Sequence, residues 1–167
     1  MQLKTALLAA AVAAAGFTAQ SLDTAQAASV SANMTVKIAI QNACDVSTVA
    51  PTTLDFGTQG PLTANVDNSS TVTVTCTSGA TYNVGLDGGG AGNVNARVMT
   101  NGTDTIGYQL YSDSGRTTVW GTTIGTNTVA ATGNGNAQSY PVYGRVPPQT
   151  TPPAGNYQDT VAVVVTY

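Results

Sequence analysis

Residues 30–40 read Val-Ser-Ala-Asn-Met-Thr-Val-Lys-Ile-Ala-Ile, with an apolar side chain at every even position. Ser31, Asn33, Thr35 and Lys37 stand between them, and Ala39 is the one apolar residue out of step. Such strict alternation is the period of a β-strand with one buried face. At about 3.3 Å per residue the segment spans roughly 36 Å, well beyond the usual strand of about 5–6 residues. A strand this long near the start of a chain needs a groove to lie in. Whether that groove belongs to the same molecule or to another decides what the chain does.

The residues ahead of this strand read as a leader. Lys4 supplies a basic start, residues 6–17 form an apolar run, and Ala25-Gln26-Ala27 is a small-x-small cleavage site. The run is shorter than the roughly 20 residues a membrane span needs. Cleavage before Ala28 is therefore expected, which leaves 140 of the 167 residues as one exported domain.

That remainder is poor in charge. Without Lys4 and Asp23 it holds four Lys or Arg against seven Asp, a net charge of −3, with no His and no Glu. Clustered basic residues, which phosphates demand, are missing, so nucleic acid is excluded as a partner. Without His there is no Ser–His or Cys–His pair, and the Asp residues are scattered singly, so an enzyme is not expected. No zinc-ligand spacing is present and no cofactor or metal is expected. The loop oxygens of Asp87, Asn93 and Asn95, or of Asn101 and Asp104, match no calcium-loop signature and read as turn residues. The glycine run at residues 88–92 reads as a turn, because it opens no helix that could cradle phosphate.

Cys44 and Cys76 are the only cysteines. In an exported chain an even pair implies a disulfide, worth about 3–4 kcal/mol for a loop of this length in the chain-entropy model.

Downstream the chain reads as strands separated by turns. Residues 41–46 continue or bend into a strand carrying Cys44, and Leu54 and Phe56 share a face in a short strand at 51–57. Val72, Val74 and Cys76 alternate within 69–77, and Tyr82, Val84 and Leu86 within 82–87. Asn101-Gly102 is a hairpin turn between strands at 96–100 and 105–111. Residues 118–121 form a short strand, 127–139 mostly exposed loop, and 140–146 a strand again. Val161, Val163, Val165 and Tyr167 share one face of a final, very apolar strand, which is expected to sit centrally in a sheet because a bare edge of this kind aggregates. Eight or nine short strands without a helical period predict an all-β, immunoglobulin-like antiparallel sandwich.

In their order, several of these segments carry a resemblance. They are the alternating leader strand before Cys44, Leu54-Asp-Phe-Gly57, Val72-Thr-Val-Thr-Cys76 and Gly85-Leu-Asp-Gly88. They continue with Ile106-Gly-Tyr-Gln-Leu-Tyr-Ser-Asp113 and Arg116, Trp120-Gly121, Pro141-Val-Tyr-Gly144, Pro153-Ala-Gly-Asn-Tyr-Gln-Asp-Thr160 and the Val-rich close. The chain resembles the spore coat protein U domain family, which includes subunits of archaic, Csu-type chaperone–usher pili. The resemblance implies an incomplete immunoglobulin-like β-sandwich with an N-terminal donor strand, divided as 1–27 signal peptide, 28–40 donor segment and 41–167 sandwich domain.

It further implies a structural subunit of a surface pilus, exported through the periplasm and supporting adhesion and biofilm formation. A periplasmic chaperone would lend a strand, and an outer-membrane usher would exchange it for the donor strand of another pilus subunit. Val30, Ala32, Met34, Val36 and Ile38 would be the donor side chains, and Val161, Val163, Val165 and Tyr167 the edge of the acceptor groove. Two other readings remain open: a self-contained spore or envelope coat protein whose leading strand fills its own groove, and a carbohydrate-binding module using the tyrosines and Trp120.

Overall fold

The computed structural model describes residues 27–46 and 51–167. The expected signal peptide and its cleavage motif lie, but for Ala27, outside the described residues. The chain divides into two units, one ending at Ile38 and one spanning Ala39–Tyr167.

In the first unit, residues 27–38 carry no regular secondary structure and every side chain is exposed, Val30 completely and Ile38 at 86%. Exposure of a whole alternating apolar row is the opposite of what this pattern asks for.

The second unit is a sandwich of two antiparallel sheets. Its strands are β1 (Cys44–Asp45), β2 (Val66–Cys76), β3 (Thr81–Leu86), β4 (Arg97–Thr100), β5 (Thr105–Tyr111), β6 (Val129–Thr132), β7 (Ala137–Val146) and β8 (Val163–Thr166). One sheet has the order β1-β2-β7-β5-β4 and the other β6-β3-β8. The long β2–β7 ladder, from Val66 opposite Val146 to Thr75 opposite Ala137, forms the spine of the larger sheet.

The period-2 pattern sends Val72, Val74 and Cys76 inward from β2, Tyr82, Val84 and Leu86 from β3, and Val142 and Val146 from β7. Each such side chain contributes about 1.5–3 kcal/mol by leaving water. Cys44 lies opposite Cys76 in the β1–β2 register and the two are joined by a disulfide. The Asn101-Gly102 turn links β4 and β5 as expected, with Gly102 at a φ of 99° that an L side chain rarely adopts.

Four expectations need correction. Residues 51–57 form no ladder, because Leu54 and Phe56 fold over the larger sheet as a strap instead of pairing edge to edge. Residues 118–121 make only an isolated bridge, Val119 to Tyr111. The stretch 127–139 is not mostly loop: it contains β6 and the start of β7, whose small Val, Ala and Thr residues lie at a sheet margin and need no bulky apolar row. Among the described residues β8 pairs only with β3 and stands at the edge of its sheet, not in the centre.

Trp120 settles the fate of the aromatic platform. It is 1% exposed and its indole N–H donates to the Val84 carbonyl at 2.8 Å, so it belongs to the core. Tyr82 and Tyr108 are buried as well. A sugar platform built on Trp120 is excluded.

Candidate functional site: an open groove beside the last strand

Between the sheets runs a groove of about 1140 Å³. Val66, Val72, Val142 and Val146 line it from the larger sheet, Leu86 and Val163 from the smaller one, and Val161 from the chain just ahead of β8. The strap at residues 51–62 forms one wall, and residues 151–161 frame the other. Among the described residues, no strand pairs with the outer edge of β8. An unpaired strand edge above an apolar trough is the chemistry that receives an extended peptide, with backbone bonds along the edge and alternate side chains below.

The strap is held by side chains more than by backbone. Its N-terminal end makes one main-chain bond to β2, from Thr52 N–H to the Thr71 carbonyl at 3.1 Å, and Thr52 Oγ1 accepts from the Thr71 amide at 3.0 Å. Leu62, at its other end, bonds the Gln149 amide through its carbonyl and the Thr151 hydroxyl through its N–H. Leu54 and Phe56 sink toward Gly144 of β7, where an added Cβ would stand 2.8 Å from both Leu54 methyls and 2.9 Å from Phe56 Cζ. The absence of a side chain at Gly144 makes the dent that seats them. Phe56 then meets Tyr108 edge to face, with ring centroids 6.5 Å apart.

The opposite rim is fixed by two carboxylates. Asp159 accepts from the Gly90 amide at 2.8 Å through Oδ1 and from the Tyr108 hydroxyl at 2.6 Å through Oδ2. Burial, and then the Asp159 carboxylate, push the Tyr108 phenol above its ordinary 10.0, so it stays a neutral donor. Asp87 accepts from the amides of Gly89 and Ala162 at 3.0 and 2.8 Å, and its own amide bonds the Ala162 carbonyl. These bonds, together with the glycine turn at Gly89–Ala91, present Val161 and Val163 to the groove.

Beneath the rim lies Arg97, which is 1% exposed. Its five N–H groups go to the carbonyls of Leu86, Asp87, Val94 and Trp120 and to Gln109 Oε1, at 2.7–3.1 Å. Desolvation pushes its pKa down, while Tyr108, Asp87 and Asp159 oppose the shift. The guanidinium ties β3, β4 and β5 together under the groove. Nothing in the sequence marked it: a lone Arg in a strand reads as a solvent-facing residue.

The expected acceptor residues fall in different settings. Val161 and Val163 line the groove, Val165 packs against the core opposite Val84, and Tyr167 is 62% exposed. The expected donor residues Val30, Ala32, Met34, Val36 and Ile38 are all exposed in the first unit. Asn93 and Asn101 spend side-chain oxygens on local turn amides, and no group of three or more potential metal ligands occurs among the described residues.

Residues 30–164 match the family profile of the Spore Coat Protein U domain. Protein U of Myxococcus xanthus is 38% identical over 81 residues, which is 47% of this chain and 45% of that protein, so the chain spans about half the length of this curated relative. Among solved structures, the complex of CsuC and the tip adhesion subunit CsuE from the archaic chaperone–usher Csu pili of Acinetobacter baumannii aligns with a TM-score of 0.49 and 25% identity, covering 77% of this chain and 40% of that one. With a profile match that runs from the alternating strand into β8, the chain belongs to the Spore Coat Protein U domain family.

Proposed function

We propose that the groove receives the alternating segment of another copy of this chain, and that the protein is a structural, non-catalytic subunit of a surface pilus polymerised by such strand donation. The observation that carries this reading is the coexistence in one chain of two incomplete surfaces. One is an apolar groove beside the unpaired edge of β8; the other is a strand-patterned segment whose apolar row is exposed along its whole length.

The chemistry is complementary. Val30, Ala32, Met34, Val36 and Ile38 fall on one face of an extended strand, and the trough they would enter is lined by Val, Leu and Ile side chains. Four or five such side chains at about 1.5–3 kcal/mol each supply on the order of 10 kcal/mol before any backbone bond. A donor and an acceptor that are different patches of one molecule make a head-to-tail contact, which propagates into a filament when it does not close. Before assembly, a periplasmic chaperone would keep the groove covered and an outer-membrane usher would exchange the strands. Adhesion and biofilm formation follow from display of such a fibre at the cell surface.

The test is a gel of material sheared from cells, run with and without boiling and probed for this chain. A ladder of multimers that collapses to a monomer on heating is expected. A monomer in both lanes overturns the reading in favour of a coat protein that fills its groove from within.

A further inference from the structure

The point at which the leading segment joins the sandwich is fixed at the start of β3, and this limits how the segment can enter the groove. The Ala43 carbonyl accepts from the Thr77 amide at 2.9 Å, the Ala43 amide donates to Thr77 Oγ1, and that hydroxyl reaches the Gln41 carbonyl at 3.1 Å. The Cys44–Cys76 disulfide lies beside this clasp. Thr77 in turn accepts from the Ala80 amide, so the clasp sits where β3 begins. β3 and β8 are antiparallel, with Asn83 opposite Thr166 and Leu86 opposite Val163. The chain therefore leaves the sandwich at the Thr166 end of β8, and Val161 and Val163 lie toward the other end.

A guest strand running antiparallel to β8 would bring its own C-terminal residues to the Val161 end. For this chain's own segment to do that, residues 39–41 would have to return from Ile38 to Gln41 along at least the length from Leu86 to Thr81, about 17 Å at roughly 3.4 Å per residue. Three Cα steps reach only about 11 Å. Self-insertion antiparallel to β8 is out of reach. Self-insertion parallel to β8 is within reach, but it uses the weaker ladder and presents the side chains to the pockets in reverse order.

We propose that the short clasped joint at residues 39–43 is an orientation lock: it bars the chain from capping its own groove antiparallel to β8 and reserves that mode for a second copy. The need for such a lock is quantitative. A tethered segment has an effective concentration of about 1 mM, so at about 1 µM protein an unrestricted joint would favour self-capping roughly a thousandfold. This inference rests on the strand-donation reading of the groove and adds to it the feature that denies the chain the antiparallel closure on itself.

Lengthening the joint tests the idea. About ten Gly and Ser residues inserted between Ile40 and Gln41 add more reach than the return path needs, whereas a two-residue insertion brings the reach only to about the 17 Å minimum. Each full-length chain is refolded at about 1 and 50 µM, run on unheated gels, and titrated with a labelled peptide of residues 28–40. The parent and the two-residue variant should form heat-sensitive multimers that grow with concentration. The ten-residue variant should be a monomer at both concentrations, with peptide binding weakened at least about a hundredfold.

Multimers from the ten-residue variant at the parent's level would overturn the lock while leaving strand donation standing. A parent that is monomeric at both concentrations and closed to peptide, but binds it once Met34→Asp and Val36→Asp expel its own segment, would also overturn the lock. A chain that multimerises in neither form and binds no peptide even with those two substitutions would remove the strand-donation reading itself, and the lock with it.

Discussion

The hydroxyl of Tyr108 donates to Oδ2 of Asp159 across 2.6 Å, joining the floor of the groove to its rim. Tyr108 is 7% exposed, so the bond is shielded and its loss leaves a carboxylate oxygen short of a partner. Replacing Tyr108 by Phe should cost about 1–2 kcal/mol in urea unfolding and leave the β-sheet circular dichroism unchanged. The pH response gives an independent check. A phenol raised in the folded state binds its proton more tightly there, so its stabilisation is intact below pH 10.0 and is lost as pH rises beyond it. Tyr140 is raised too, by burial and by its hydrogen bond to Tyr82, so both contribute to the alkaline fall. The parent should lose stability steeply above pH 10.0, and Tyr108→Phe should fall less steeply.

Gly144→Val tests the dent beneath the strap. The new side chain would overlap Leu54 and Phe56, which must then lift from β7. A destabilisation of about 1–3 kcal/mol is expected, the usual cost of overfilling a packed site. Capture of the 28–40 peptide should weaken in parallel. Unchanged unfolding and unchanged capture would show that the strap is not seated there.

The donor row is tested by charge. Met34→Asp together with Val36→Asp places two carboxylates where strand donation buries methyl groups, a transfer that apolar surroundings strongly oppose. The unheated ladder should disappear while the sandwich itself unfolds at the parent's urea midpoint. A persisting ladder would mean that this face of the strand is not the one buried.

Replacing Cys44 and Cys76 together by Ser should lower stability by about 3–4 kcal/mol, since the bridge closes a loop with a sequence separation of 32. Unfolding of the parent with and without reductant should show the same difference. A variant as stable as the oxidised parent would remove the disulfide as a stabilising element.

Much of the sandwich was readable from alternation, because Val72, Val74 and Cys76, or Tyr82, Val84 and Leu86, can bury one face only as strands. The hairpin at Gly102 and the Cys44–Cys76 bridge were readable for local reasons, turn chemistry and an even cysteine pair. What escaped depends on non-local packing. Leu54 and Phe56 carry the spacing of a strand, but the dent at Gly144 draws their side chains inward and leaves no ladder. β6 carries too little apolar bulk to signal itself, since it needs only to satisfy the margin of β3. Trp120 bonds Val84, far away in sequence, and Arg97 is held by carbonyls of three other segments, and period alone gives no warning of either. The closing Val-rich strand is apolar enough to ask for a partner on each side; among the described residues it has one, and the other side is the groove.

Arg97 has one more consequence. Every N–H of its guanidinium ends on a neutral oxygen, four carbonyls and an amide, and none on a carboxylate. Mobile ions weaken attraction between exposed opposite charges, but they have little purchase on a buried cation gripped by short-range dipoles. The grip on this buried charge therefore depends little on the salt around it. Whether the surroundings are dilute or salty, the bonds that hold this guanidinium stay the same.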